Sequence, residues 1–165
     1  MRAAAQEEMV MADESKAAEE IQLVVFSLGR EEFAVEVTQV REIMRMEEIT
    51  RMPKSPHFVE GIINLRGQII AVVELAKRLN LETGERSGET RIIVVETEDI
   101  KVGMIVDSVS EVLRVAADAV EPSPTLATDI SAAYLQGVLK QDNRLIILLD
   151  LTKVLSLEEM VGLGF

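Results

Sequence analysis

The apolar positions of this chain come in short runs at two spacings, and the runs repeat. Ile21 to Leu28 is apolar on both alternating faces, Gly29-Arg30-Glu31-Glu32 is a polar turn, and Phe33-Ala34-Val35-Glu36-Val37 alternates, so the three together predict a β-hairpin. Beyond it Val40, Ile43 and Met44 fall at i, i+3 and i+4 behind Thr38. That spacing and that cap predict a short helix with Arg41, Glu42 and Arg45 off the apolar face. Ile49 to Met52 reads as an extended piece stopped by Pro53 and Pro56. Phe58 to Leu65 and Gln68 to Val73 predict a second hairpin around Arg66-Gly67, with Gly67 supplying a positive φ, and Leu75 to Leu81 predicts a short helix.

The polar segment Glu82 to Glu89 contains two glycines and no aliphatic residue, which marks a boundary. The second half then retraces the first. Arg91 to Thr97 and Ile100 to Val106 predict a hairpin around Glu98-Asp99, and Ser108-Val109-Ser110-Glu111 is a capping-box pattern. It predicts a helix presenting Val109, Val112 and Leu113, the counterpart of Val40, Ile43 and Met44. Pro122 and Pro124 echo Pro53 and Pro56, Tyr134 to Lys140 and Leu145 to Asp150 predict a last hairpin, and Ser156-Leu157-Glu158-Glu159 is the start of a closing helix. The duplication is plainest where Gly61 to Leu81 returns without a gap as Gly137 to Leu157. In each copy a glycine opens the first strand, a two-residue turn follows (Arg66-Gly67 or Asp142-Asn143), and an acid, Glu74 or Asp150, precedes the helix. Each half offers about five short strands, the spacing of a small closed barrel. Halves of about 70 residues are small for a free-standing core, so the two are expected to pack together with a groove between them.

Composition sharpens this picture. With 48% hydrophobic residues but no tryptophan, one tyrosine and four phenylalanines, the core must be built from Val, Ile, Leu and Met, which suits strands. The absence of cysteine excludes disulfides and thiolate chemistry and fits a reducing cytosol. No apolar run approaches the ~20 residues that span a bilayer, so a cytoplasmic protein without membrane insertion is expected. A net charge of −12 with no basic run argues against nucleic acid as partner. Residues 1–20, rich in Ala and Glu, form an acidic leader expected to be flexible.

Candidate chemistry is sparse. His57, the one histidine, lies between Pro56 and Phe58 with no cysteine, second histidine or helical carboxylate at metal spacing, and reads as a loop residue. Neither a catalytic, a cofactor-binding nor a metal site is expected. Glu74 and Asp150 could be imagined as a catalytic pair, but each precedes a short helix, where an acid caps exposed N–H groups. Two features remain as candidates. Arg66 is a long cation at a turn tip in an acidic protein, and its equivalent in the second copy is an acid. The apolar faces carrying Val40 and Ile43, and Val109 and Val112, would line the groove between halves and could receive an amphipathic helix.

These residues fall in runs that resemble the CheW family of bacterial chemotaxis coupling proteins: VVFSLGREEFAVEVTQVREI, GIINLRGQIIAVVEL, VGMIVDSVSEVL and the closing LQGV and RLIILLDL. The resemblance covers about Ile21 to Met160, as one CheW-like domain over residues 21–160. It implies a mainly β fold: two intertwined five-stranded SH3-like barrels with a few short helices, residues 30–85 mostly in the first barrel, 86–155 mostly in the second, and termini exchanged between them. It implies a non-catalytic adaptor, without cofactor, that couples the cytoplasmic helical tip of methyl-accepting chemoreceptors to the histidine kinase CheA and helps to build the signalling array. A CheW-like scaffold of another chemosensory or pilus-motility system is the alternative, and a small hydrolase the more distant one. By the motif, the receptor-contact arginine is Arg66, the receptor groove comprises Val24, Val37, Val40, Ile43 and Val109 with Glu42 and Val112 beside it, and the motif glycines are Gly61 and Gly137. The kinase is met through its own CheW-like domain, largely by the second barrel. Ala71 and Glu74 stand where the family's block more often has proline and aspartate.

Overall fold

A computed structural model describes residues 19–98, 100–122 and 130–156 of the chain. Residues 1–18 of the leader, Asp99, Pro124 and the expected closing-helix residues Leu157, Glu158 and Glu159 lie outside the described residues. In chain order the strands are β1 (Glu20–Leu28), β2 (Glu31–Glu36), β3 (Val40–Arg45), β4 (Val59–Leu65), β5 (Gln68–Glu74), β6 (Arg91–Glu96), β7 (Lys101–Val106), β8 (Ser108–Ala116), β9 (Leu135–Gln141) and β10 (Arg144–Leu149). Single-turn helices α1 (Leu75–Arg78) and α2 (Leu151–Val154) follow β5 and β10. One sheet has the order β8-β1-β2-β10-β9 and the other β3-β6-β7-β5-β4. Moving every strand five places along the chain converts one order into the other, so the duplication read in the sequence is a pseudo-twofold of the fold. The four expected hairpins are all present, and each sheet also contains one parallel pair, β2 with β10 or β5 with β7. The fold is mainly β, two five-stranded barrels built through each other.

Two expected helices are strands. Val40 to Arg45 pairs with β6, and Ser108 to Ala116 pairs with β1. Thr38 and Ser108 cap no helix; a three-residue 3-10 turn, Val37–Gln39, precedes β3 instead. The helical spacing has another cause. The β3 ladder pairs Val40 with Val95 and Glu42 with Val94, leaving Arg41 as the extra residue of a β-bulge. The β1–β8 ladder likewise pairs Phe26 with Val109 and Val25 with Glu111, leaving Ser110 extra. A bulge shifts the alternation by one residue, so Val40 and Ile43, or Val109 and Val112, share a face at a separation of three. The side-chain caps expected at the acids divide as well. Asp150 accepts from Thr152 N at 3.0 Å, as expected, whereas Glu74 makes no cap bond.

Each barrel closes where the chain beyond its last strand crosses to the strand at the far end of the same sheet. Thr50 bridges Ile62 of β4, and Glu121 bridges Val138 of β9, each by a pair of backbone hydrogen bonds of 2.8–2.9 Å. The repeated glycines lie at these seams. A Cβ on Gly61 would stand 2.0 Å from the Thr50 carbonyl oxygen, and one on Gly137 would stand 2.9 Å from that of Glu121 and 2.6 Å from a Val120 methyl. Both positions therefore need glycine for close backbone approach.

Strands buried on both faces explain the doubly apolar runs. Leu23, Val25, Ala34, Leu139, Ile146 and Leu148 fill one barrel, and Ile63, Ile70, Val72, Ile92, Val94 and Ile105 fill the other. The alternate residues, among them Val24, Phe26, Phe33, Val73, Ile93, Met104 and Leu149, form a third core between the barrels, joined by Leu75, Leu79, Leu151 and Val154 of the helical turns. Ile100, Val102, Met104 and Val106 all face this core, as their alternation predicts. Arg78 is buried beside it. Its guanidinium carbon lies 4.7 Å from the ring centre of Phe58 and 5.0 Å from that of Tyr134, and its Nε donates to Val154 O at 2.6 Å. Phe58 and Tyr134 are equivalent in the two copies, as are Arg78 and Val154, so one arginine joins the halves close to their pseudo-twofold.

Alanine at Gly61 or Gly137 is expected to cost about 2–4 kcal/mol of unfolding free energy, because backbone must move to admit a Cβ at the seam. Gly88→Ala, with nothing near its would-be Cβ, should stay within about 0.5 kcal/mol of the parent. Urea denaturation of the three variants checks this.

Candidate functional site

The mouth of the shared core is where apolar surface emerges. Val24 is buried at 2% exposure inside that core, and Val37, Val40 and Val109 pack on it while partly exposed. Ile43 and Val112, on the two bulged strands, reach 41% and 55% exposure. The ladders put Val112 opposite Val24 and Ile43 opposite Ile93, both core residues, so the two exposed side chains continue the core outward on the end strands of the two sheets. Val24 contributes shape from beneath rather than accessible surface. Edge strands normally carry charge at such positions, and here aliphatics stand among Arg41, Glu42 and Arg45.

Arg66 is tied to β3 through Glu42, the neighbour of Ile43 in the chain. It opens the two-residue β4–β5 turn with a φ of 51°, followed by Gly67 at 86°; in the second copy Asp142 and Asn143 take 49° and 67°. These are the paired positive φ values of a type I′ hairpin, matching strand twist. In such a turn the first side chain projects from the tip, and the Arg66 side chain is 72% exposed. Its guanidinium forms a two-pronged ion pair with Glu42 of β3, across the seam that Thr50 and Ile62 close. The hydrogen bond from Arg66 holds the Glu42 carboxyl below the usual carboxylate range. A pair this exposed is screened and adds little to stability.

The second barrel has the same seam pair from a different position. Glu111 of β8 is the equivalent of Glu42, and it is met at 2.8 Å by Arg144, two residues beyond the turn position equivalent to Arg66. Arg144 also grips Glu32 through two bonds of 2.9 Å. Its side chain is half as exposed as that of Arg66 and satisfied by two carboxylates. Of the two seam arginines, Arg66 is the more exposed and has the fewer carboxylate partners.

A further cluster fixes the boundary segment 82–89. Arg86 binds Glu60 at 3.1 Å and the buried Glu74 at 3.0 Å, while Lys77 binds Glu60 at 3.0 Å. Burial pushes the Glu74 carboxyl up, and the Arg86 hydrogen bond and charge only partly offset it. Glu60 feels burial too, but Lys77 and Arg86 together bring it below its ordinary value. Glu74, Asp150 and His57, the groups an enzyme reading would combine, thus have separate employments: Glu74 holds Arg86, Asp150 caps α2, and the His57 ring meets Phe58 edge-on at 5.8 Å. The sequence reading passed over Arg78, Arg86 and Arg144. Cations at helix ends or in polar loops look solvated until the chain folds.

Two five-stranded barrels, closed at glycine seams and packed on one shared core, define a duplicated two-barrel β domain. The CheW-like domain model matches residues 22–159, and the chain belongs to that family. It is 36% identical to the chemotaxis protein CheW of Treponema pallidum over 88% of both chains. Against the chemotaxis protein CheW of Thermotoga maritima it is 39% identical, covering 85% of this chain and 91% of that one. The crystal structure of the scaffolding protein TtCheW from Thermoanaerobacter tengcongensis superposes with a TM-score of 0.75 at 40% identity, over 79% of this chain and 84% of that one.

Arg86→Ala tests the cluster. The acid whose folded pKa is raised binds more protons folded than unfolded, so ionising it costs stability as pH rises, and removing Arg86 raises that cost. The variant should lose about 1–3 kcal/mol at neutral pH. The deficit against the parent should shrink as pH falls, Glu74, whose carboxyl is pushed up, taking its proton first and Glu60, held below its ordinary value, only at lower pH. Parallel urea titrations at neutral and acidic pH read it.

Proposed function

We propose that this protein is a non-catalytic cytoplasmic adaptor that seats the helical tip of a chemoreceptor on the mouth formed by Val37, Val40, Ile43, Val109 and Val112, with Arg66 as the anchoring cation. The observation that carries the reading is the presence of Ile43 and Val112, exposed continuations of the shared core, together with an exposed arginine that has a single carboxylate partner. An amphipathic helix laid on such a strip buries aliphatic side chains, and an acidic or amide group on its flank can take Arg66 from Glu42. Membership of the CheW-like family supports the same assignment.

The histidine kinase CheA is the second partner. It contacts the second barrel through its own CheW-like domain, a barrel-to-barrel contact that leaves the mouth open for receptor. Gly61 and Gly137 serve this function indirectly, by letting the seams close under the two surfaces.

Arg66→Glu should leave the thermal unfolding midpoint within about 2 °C of the parent, since an exposed pair contributes little. It should weaken co-sedimentation with receptor tips by about tenfold or more. Receptor capture equal to that of the parent would refute the assignment of Arg66.

A further inference from the structure

A different part of the first barrel carries charge of the opposite sign to the rest of the molecule. Between β3 and β4 the chain forms one wall of a cavity of about 570 Å³, completed by Lys77 of α1 and Arg86 of the boundary segment. That volume is in the range of small-molecule sites. Four cations line it, Arg51, Lys54, Lys77 and Arg86, against two carboxylates, Glu47 and Glu60. The whole chain has a net charge of −12. Local charge of this sign, facing a concave surface, attracts anions where the surrounding surface repels them.

The cations are not equally committed. Lys77 and Arg86 are bound to Glu60. Arg51 and Lys54 are exposed and have no hydrogen-bond or ion-pair partner among the described residues. Lys54 is also held in an unusual backbone state, with a φ of 64°. Such a φ is uncommon outside glycine and points to a constraint at that position. The loop around it is rigidly built: Pro53 and Pro56 flank it, Ser55 Oγ donates to Met52 O at 2.7 Å, and Val59 N donates to Pro56 O at 3.0 Å. Holding the loop in advance lowers the ordering cost of binding.

We infer that this cleft binds a small multivalent oxyanion, with Arg51 and Lys54 supplying the uncommitted charge and Arg86 exchanging part of its hold on Glu60 for the ligand. The site shares no residue with the surface assigned to the receptor, and it does not depend on that assignment. Charge-assisted hydrogen bonds from two or more cations are the recognition chemistry, and phosphate esters and polycarboxylates both offer it.

The test uses the full chain with inorganic pyrophosphate and citrate as separate probes, by calorimetric titration at low ionic strength and by backbone-amide chemical-shift mapping. One-site binding is expected, with shifts concentrated at residues 51–57, 77 and 86. Binding of pyrophosphate alone assigns a phosphate ligand, and binding of citrate alone a polycarboxylate. Lys54→Gly removes the charge while relieving the positive φ, so the fold is retained. It should weaken the bound probe by about tenfold, as should Arg51→Ser. The inference is overturned if neither probe binds, if the shifts scatter over the molecule, or if Lys54→Gly binds like the parent.

Discussion

Everything else in this structure rests on the way the two repeats divide their strands between two sheets. β2 ends in one sheet at Glu36 and β3 begins in the other at Val40, with a single 3-10 turn between them. β7 and β8 make the reciprocal crossing around Asp107, whose N–H donates to Ser27 O at 3.0 Å. Each barrel takes strands from both repeats of the chain, β1 and β2 with β8, β9 and β10, and β3, β4 and β5 with β6 and β7, so neither repeat closes a barrel on its own. The core between them is then an obligatory interior rather than a docking interface. Its residues come from both halves of the chain, and β1, β2, β5, β6, β7 and β10 are buried on both faces to serve it.

The exposed aliphatic rim follows from the same arrangement. A core shared by two barrels has a rim where the end strands diverge, and the bulges at Arg41 and Ser110 turn a second aliphatic residue of each end strand toward that rim. The seam that closes the first barrel puts the β4–β5 turn against β3, which brings Arg66 to Glu42. Duplication would place the same elements at both barrels, yet the copies have diverged at their arginines. Arg144 is locked by Glu32 and Glu111, whereas Arg66 holds one carboxylate from a turn tip. The frame is symmetric and its two arginines are not: one is exposed at a turn tip, the other fixed between two carboxylates.

Much of this was legible in the sequence: the strands of every hairpin, the turn residues, the duplication and the closing glycines all have local signatures. The two misread elements share one cause. Val40 with Ile43, and Val109 with Val112, sit three apart, and a one-dimensional pattern cannot tell a helical turn from a β-bulge, because a bulge is defined by the partner strand. The long-range arginine contacts were hidden for a related reason. Arg144 and Glu32 are 112 residues apart, and Arg78 meets Val154 across 76. Nothing near either arginine in the chain records such a contact. Glu74 shows the limit from the other side: its place before α1 suggested a cap, but burial beside Arg86 gave the carboxylate a better partner.

The central claim is that the rim of the shared core, with Arg66 beside it, is where this protein receives a receptor helix. Methyl and backbone-amide chemical-shift mapping with a receptor-tip fragment tests it most directly. The largest shifts are expected at Val37, Val40, Ile43, Val112 and Arg66, with the β9–β10 turn at Asp142-Asn143 unmoved. Shifts centred on that turn, with the rim unaffected, would contradict it.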